Sequence, residues 1–379
     1  MPMMERSRLF VGLLCVFLLA SSSAGAVNVP VPLDGATLNL NVQLQPWFRV
    51  AEDATPEGNV GEDIFLRRVR LLAQGNFSKD FLYLIQIDTP NFGKGGDFTS
   101  RELIQDAWVA WNPMEGMYLD AGMLLLPVNR HVLQSTTDYT NFDFHVNMLK
   151  SPNTNGLRDN GLSLRGWLFD KKVGYRVGAY EGVRATTPPA NAKLNPHGTP
   201  RLAGFLNFDI VGTEEGAWLY HGLYFDKPVV SVGLGGEYQS GALLNAAGNV
   251  TDHSYYSADL FVDLPFAGNQ EFIFSMVLAR NGAGTNSADT GSSGFVDVGY
   301  RYGIVQPYLS AEFFAGDSCS LTPGACKANT DDLRIGSAGV NFWIKRNQMH
   351  ISTEYAVTRT GVLGTKHQQT FTTEWSMFF

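Results

Sequence analysis

Three groups of residues have types and spacings that could do chemistry. The first is His350-Ile351-Ser352, with Glu354 two positions further on. A hydroxyl, an imidazole and a carboxylate are the parts of a nucleophilic triad, in which a base activates the serine and a third group orients the base. Here all three fall on one face of a period-two segment, with Glu354 beyond the serine rather than behind the histidine. The second group is a set of arginines, Arg49, Arg68, Arg70, Arg165, Arg176, Arg201, Arg301 and Arg334, at polar positions of alternating segments. Acids hold equivalent positions: Asp88, Asp106, Asp120, Asp209, Glu237, Asp259, Asp263, Asp297, Glu312, Glu354 and Glu374. The arginines cluster in the first half and the acids dominate the second. Opposed charged walls bias which ions pass through a pore. The third group lies in the stretch Pro127 to Gly156, where Arg130, His131, Asp138, Asp143, His145 and Lys150 alternate with Tyr139, Phe142 and Phe144.

Other chemistry is weakly supported. His131, His145, His197, His221, His253 and His367 lack a tight metal-ligand spacing, and single loop histidines are usually solvated. Asp331-Asp332 reads as an exposed acidic pair. Gly233-x-Gly235-Gly236 has no helix after it, so a nucleotide loop is not indicated. Glycine there would let strands bend or face a neighbouring subunit. Neither a cofactor nor a metal is implied.

The elements that position these residues repeat with period two. Leu38, Leu40, Val42 and Leu44 oppose Asn39, Asn41, Gln43 and Gln45; Phe371, Thr373, Trp375 and Met377 oppose Thr372, Glu374 and Ser376. Side chains of a strand alternate between faces in this way. Many segments run to about 9–13 residues, the length of a tilted membrane-crossing strand. Short connections (Ser78-Lys79-Asp80, Asn112 to Gly116, Asp170-Lys171-Lys172, Lys345-Arg346-Asn347) alternate with long ones. The long ones are Ala51 to Gly61, Pro90 to Arg101, Pro127 to Gly156, Val183 to Pro200, Gly241 to His253 and Gly316 to Asn329. Short inner turns, long outer loops and aromatic-rich outward positions together indicate a transmembrane antiparallel β-barrel rather than a soluble sandwich.

About sixteen strands are expected. Their centres are Val42, Val69, Ile85, Ala107, Ala121, Leu164, Val177, Phe205, Val232, Leu260, Phe274, Val298, Leu309, Val340, Ile351 and Phe371. Val211 to Pro228 reads as a long inner turn, with Ala217 to Phe225 an alternative strand. Pro46 and Pro307 lack a ladder donor, so bulges or edge-like pairing are expected there. A parity change between Ile335 and Val340 suggests another bulge. A sixteen-strand barrel leaves an aqueous lumen. The apolar loop Pro127 to Gly156 is expected to fold into it, because such a loop needs something to pack on.

Composition sets the remaining bounds. The chain has 379 residues, 44% hydrophobic and 17% charged, with a formal charge of −8. It is not disordered, and no apolar run reaches the roughly 18 residues of a spanning helix. Its acidity argues against a nucleic-acid partner. Arg6 and Arg8, the apolar run Leu9 to Ala20 and Ala24-Gly25-Ala26 read as a signal peptide over residues 1–26, leaving 27–379 as one barrel domain. Its removal leaves 26 basic and 35 acidic residues, a mature charge of −9. Cys319 and Cys326 then remain, and an oxidising compartment favours a disulfide between them.

Phe65-Leu66-Arg67-Arg68-Val69-Arg70-Leu71, Gly75-Asn76-Phe77 and Lys79-Asp80-Phe81 resemble a strand hairpin of the phosphate-selective porin O and P family. Asp106-Ala107-Trp108-Val109, Ala121-Gly122-Met123, Pro127-Val128-Asn129-Arg130 and Asp159-Asn160-Gly161 continue the likeness in order, and Phe379 looks like a terminal barrel signal. The likeness is sharpest from Phe65 to Gly182. It implies a sixteen-stranded trimeric channel with an inward third loop, and it makes Arg68, Arg70, Arg165 and Arg176 pore residues. The sequence departs from the family in having no lysine-rich cluster and in its excess of inward acids.

The expectation is therefore a bacterial outer-membrane porin that passes small hydrophilic solutes and ions, with an anion bias set by Arg49, Arg68, Arg70, Arg165 and Arg176. Arg130, Asp138 and Asp143 of the loop are expected to line the pore beside them. Membrane lipid, small solutes and two further copies are the expected partners. The alternatives are a barrel enzyme, since His350 and Ser352 resemble the arrangement of outer-membrane phospholipase, and a loop-borne receptor or adhesin.

Overall fold

The computed structural model describes residues 27–31, 35–145, 151–184, 194–214, 218–244, 249–283, 290–317, 332–360 and 366–379. The proposed signal segment, Cys319 and Cys326 lie outside the described residues. A short strand, β1 (Val27–Val29), precedes sixteen long ones. These are β2 (Leu38–Ala51), β3 (Gly61–Ser78), β4 (Phe81–Asp88), β5 (Leu103–Met114), β6 (Met117–Leu125), β7 (Arg158–Leu168), β8 (Val173–Tyr180) and β9 (Arg201–Val211). The second half contains β10 (Val229–Leu244), β11 (Val250–Phe266), β12 (Gln270–Gly282), β13 (Gly291–Tyr302), β14 (Val305–Gly316), β15 (Leu333–Asn347), β16 (Met349–Thr360) and β17 (Lys366–Phe378). Each long strand pairs antiparallel with the next, and β17 pairs with β2, which closes the barrel. All sixteen expected centres fall within these strands.

Alternation decides the two surfaces. Leu71, Val109, Leu162, Leu202, Leu234 and Leu309 are exposed on the outside, while Gln43, Gln45, Asp120, Ser231 and Asn341 are buried inside. A closed sheet satisfies every ladder group without water, so strands of this kind can stand in hydrocarbon. Phe81 stacks on Trp111 at the short-turn end, with ring centroids 6.4 Å apart. Tyr238 and Tyr256 are exposed towards the other end, as interfacial girdles require. Among the described residues no helix is long and apolar enough to cross a membrane.

Proline and parity act as local corrections to this pattern. At Pro46 the β2–β3 register shifts: Gln45 faces Arg68 while Pro46 faces Leu66, leaving Arg67 as the extra residue of a bulge. Pro307 stays in register with Val340 of β15, but on the β13 side the pairing passes from Tyr308–Gly299 to Val305–Tyr302 with the residues between unmatched. The missing N–H is thus absorbed by a gap rather than a bulge. The expected parity change in β15 is absent, since its register with β14 is continuous from Leu333 to Phe342. Arg334 consequently lies on the exposed outer face with Ala338 and Phe342, and is not a pore residue. The bulge of β15 falls later, between Trp343 and Lys345. The expected long loop Gly241 to His253 is mostly strand, because β10 continues through a bulge to Leu244.

Candidate functional site

The inner face of β2–β9 carries the arginines, and most of them meet a carboxylate on a nearby strand of the same wall or on the inward loop. Arg70 Nε donates to Asp88 at 2.9 Å, Arg165 Nε to Asp120 at 2.9 Å, and Arg158 to Asp106 at 3.1 Å. Arg201 lies 3.0 Å from Asp159 and 3.7 Å from Glu237. Arg176 instead donates to the Trp218 carbonyl at 2.6 Å and lies over the Trp218 and Tyr220 rings. The wall is therefore largely neutralised within itself.

The inner face of β11–β17 has acids without matching arginines. Glu354 accepts from the Tyr308 and Ser337 hydroxyls, and Glu374 lies 3.4 Å from His350 Nε2. Arg301 is the exception, bound to Glu271 at 2.6 Å near the short-turn end.

The expected inward loop, Pro127 to Gly156, enters the lumen between these walls over its described residues up to His145. From Leu126 to His145 none of its residues is exposed. It touches the barrel almost all round. Asp143 accepts from Arg67 at 2.9 Å and Arg68 at 2.5 Å on β3. Thr136 accepts from Arg70 and Gln43. The Thr140 carbonyl accepts from Asn341 on β15 at 2.8 Å. His145 lies 3.1 Å from both Asp297 on β13 and Glu312 on β14. The Arg130 backbone N–H donates to Asp259 on β11 at 3.0 Å. Gly235 permits the approach, since a Cβ there would fall on the Val128 carbonyl oxygen. Gly235 of the Gly233–Gly236 run thus serves the approach of the loop.

These contacts set the charges of the loop. Burial would suppress the His145 imidazolium, but Asp297 and Glu312 outweigh it and hold the pKa up at about 10. His131 stacks on Phe144 with ring centroids 4.6 Å apart; burial, then His145 and Arg130, hold it well below its ordinary value. Burial opposes ionisation of Asp143, yet Arg67 and Arg68 keep its pKa below the usual carboxylate range. His131, His145 and His253 are buried members of this interior, not the solvated loop histidines expected from sequence.

A second segment enters from the opposite end. The β9–β10 connection, 212–228, is a turn as expected and holds no strand among its described residues. It rises to meet the loop: Tyr220 N–H donates to the Leu133 carbonyl at 2.7 Å, and Ser135 N–H to the Tyr220 carbonyl at 2.9 Å. Arg130 forms a buried bidentate ion pair with Glu214, 2.5 Å at its closest, and also donates to the His221 carbonyl at 2.6 Å. His221 Nδ1 lies 2.7 Å from Asp138. Leu124, Leu126, Val128, Leu133, Phe205, Tyr220 and Tyr255 make a small apolar core inside the barrel.

The structure sorts the expected residues. It brings Arg68 and Asp143 together, and Arg70 joins them through Thr136. Arg165 and Arg176 face inward but are buried. Asp138 and Arg130 hold the connection rather than an open passage. Arg49 is inward and a third exposed, 3.8 Å from Asp63. The sequence reading missed Arg67, which only the bulge turns inward, and Lys94, which arrives from the β4–β5 loop. Lys94 and Arg49 both lie over the Phe65 ring, at 5.7 and 5.9 Å, and Arg67 lies over Trp47 at 5.5 Å. The double arginine Arg67-Arg68 beside Pro46 was the available signal. His350 and Ser352 face the lumen, and the imidazole addresses Glu374 and packs at a tilt against Trp343.

No protein-family model and no curated protein sequence matches the chain. Solved structures resemble it in fold. An anion-selective porin from Comamonas acidovorans superposes with a TM-score of 0.57 at 11% identity, covering 91% of this chain and 100% of that one. OprB of Pseudomonas putida gives 0.60 at 10% identity over 91% and 94%, and the outer-membrane channel DcaP of Acinetobacter baumannii gives 0.56 at 13% over 90% and 98%. These superpositions show a shared fold.

Proposed function

We propose that this protein is a bacterial outer-membrane porin through which small hydrophilic solutes diffuse, with a slight preference for anions. The observation that carries the reading is a closed barrel, apolar outside and ionised inside, whose long loop crosses the lumen. Residues 1–26 direct export and are removed by it, and the assembly is a homotrimer in outer-membrane lipid. The porin-like architecture of the solved neighbours supports the location.

The sign of selectivity follows from the charges that keep contact with water. Arg49, Arg67 and Lys94 stand around Phe65 and Trp47 at the loop side, against Asp63 and Asp143. Three cations against two carboxylates favour anions in the vestibule. A lone lysine beside arginines already engaged by acids suits passage more than tight phosphate capture. Of the residues of the family resemblance, Arg68, Arg70 and Arg165 act mainly by holding their acids and the loop, and Arg176 by holding the Trp218 carbonyl of the β9–β10 connection.

Reversal potential in a planar bilayer under a potassium chloride gradient tests this. Discrete conductance steps with an anion-directed potential are expected, reduced by Arg67→Ala with Lys94→Ala. A cation-directed potential in the unmodified barrel would overturn the anion preference. Absence of conductance, even with the loop deleted, would overturn the channel reading.

A further inference from the structure

We propose that the β9–β10 connection is a second constricting element, which enters from the short-turn mouth and sets the solute path jointly with the long loop through the Arg130–Glu214 pair. This rests on the channel reading and extends it.

The first argument is length. Between the sixteen long strands every other connection at that end spans between one and four residues, whereas this one spans 212–228. Antiparallel neighbours need only two to five residues to turn, so closing the hairpin does not call for the excess. The second argument is placement. Glu214, Tyr220 and Leu223 are buried inside the barrel, and Gly222 sits so close that a Cβ would fall on the Asp138 carbonyl oxygen. The segment was fitted to the loop at a point where no larger residue is accommodated.

The third argument is chemical. The Glu214 carboxylate accepts from Arg130, the Tyr224 hydroxyl at 2.8 Å and the Ser231 hydroxyl at 2.5 Å. A buried ion pair persists only when its remaining lone pairs are met in this way, and its best-attested use is to fix one arrangement over others. Tyr224 N–H and Phe225 N–H reach Asp263 and Glu271 on the wall, each at 2.7 Å. None of these bonds belongs to the strand ladder, so the segment can be altered while the barrel stays closed.

The fourth argument is access. A cavity of about 800 Å³ opens at this mouth and is lined by His221, Tyr224, Phe225, Arg301, Trp343 and Asn347. A solute entering there meets the connection before it meets the loop.

Two measurements test the proposal in purified, refolded barrel carrying Cys319→Ser and Cys326→Ser. In the first, residues 213–227 are replaced by Asn-Gly. Single-channel conductance should rise at least about twofold while heat-resistant mobility on gels is kept. In the second, His221→Cys is modified from the short-turn side with a cationic and, separately, an anionic methanethiosulfonate. The two reagents should move the reversal potential in opposite directions. If the shortened barrel fails to fold, the thiol measurement decides alone. Conductance that matches the parent, or complete modification confirmed by mass spectrometry without a shift in potential, would overturn the proposal while leaving the channel reading intact. Silence of every variant, loop deletion included, would overturn both.

Discussion

The two walls of the lumen are neutralised by different means. On β2–β9 most carboxylates sit beside an arginine of the barrel wall, as in Arg70–Asp88 and Arg165–Asp120, while Asp209 accepts from Asn207 and the Glu214 N–H. On β11–β17 the acids rely on hydroxyls, on backbone N–H groups and on the inward loop, as in Glu354 with Tyr308 and Ser337, or Asp297 and Glu312 with His145. The first wall would keep most of its pairs without the loop, losing only Asp143 from Arg67 and Arg68. The second would not. The loop is thus a constriction for solutes and also the counter-charge of one half of the barrel.

The strongest way to break this contrast is to remove the loop. Deleting residues 135–145 should raise single-channel conductance about threefold or more, since it clears the lumen. It also uncovers Arg67 and Arg68 on one wall and Asp297 and Glu312 on the other, so a transverse field should appear where little existed. Unchanged conductance in a closed barrel would show that the loop does not limit passage.

Single substitutions come next. Arg70→Ala leaves Asp88 buried and alone, and should lower stability by about 3–5 kcal/mol, read from the denaturant midpoint of refolding into detergent micelles. The double change Arg70→Met with Asp88→Leu should recover most of that loss. If the double variant is as weak as the single one, the pair is not acting through its charges.

The loop's ion pairs make its docking depend on pH, with opposite signs at the two ends. His145 is raised from its ordinary value of about 6.5 to about 10, so its contribution is complete below pH 6.5 and is lost as pH rises through 10. Asp143 is depressed, so its contribution is present above the ordinary carboxylate range and lost as pH falls below it. Channel noise should therefore grow above pH 10, and His145→Gln should bring that noise to neutral pH. A flat record from pH 7 to 11 would count against the latch.

The smallest effect is expected on the second wall. Glu354→Gln keeps the acceptor for Tyr308 and Ser337, and should change stability by no more than about 1 kcal/mol. A loss comparable to that of Arg70→Ala would erase the distinction between the walls.

Strand count, order and most inward positions were legible because period-two alternation acts residue by residue. Arg49, Arg68, Arg70, Arg165 and Arg176 were placed on the correct face by parity alone. Parity failed where the ladder slips or holds unexpectedly: the bulge turns Arg67 inward, and the unbroken β15 turns Arg334 outward. The loop's inward course was readable from its apolar content. The course of 212–228 was not, because its anchors are single contacts to distant strands and its apolar stretch from Ala217 to Phe225 equally suited a further strand.

Barrel closure also carries a consequence for how the chain assembles. Val42 and Phe379 exchange both backbone hydrogen bonds, at 2.6 and 3.0 Å, while β1 continues along the same flank of β2. Beside that seam Gln45 donates to Ser376, 331 positions away in sequence. The first long strand must therefore wait, with one edge unpaired, until the last has been delivered. Loop-closure entropy makes such a contact slow to form, and an open edge invites pairing with other chains. Pairing of the final strand is thus the step that removes the last open edge of the barrel.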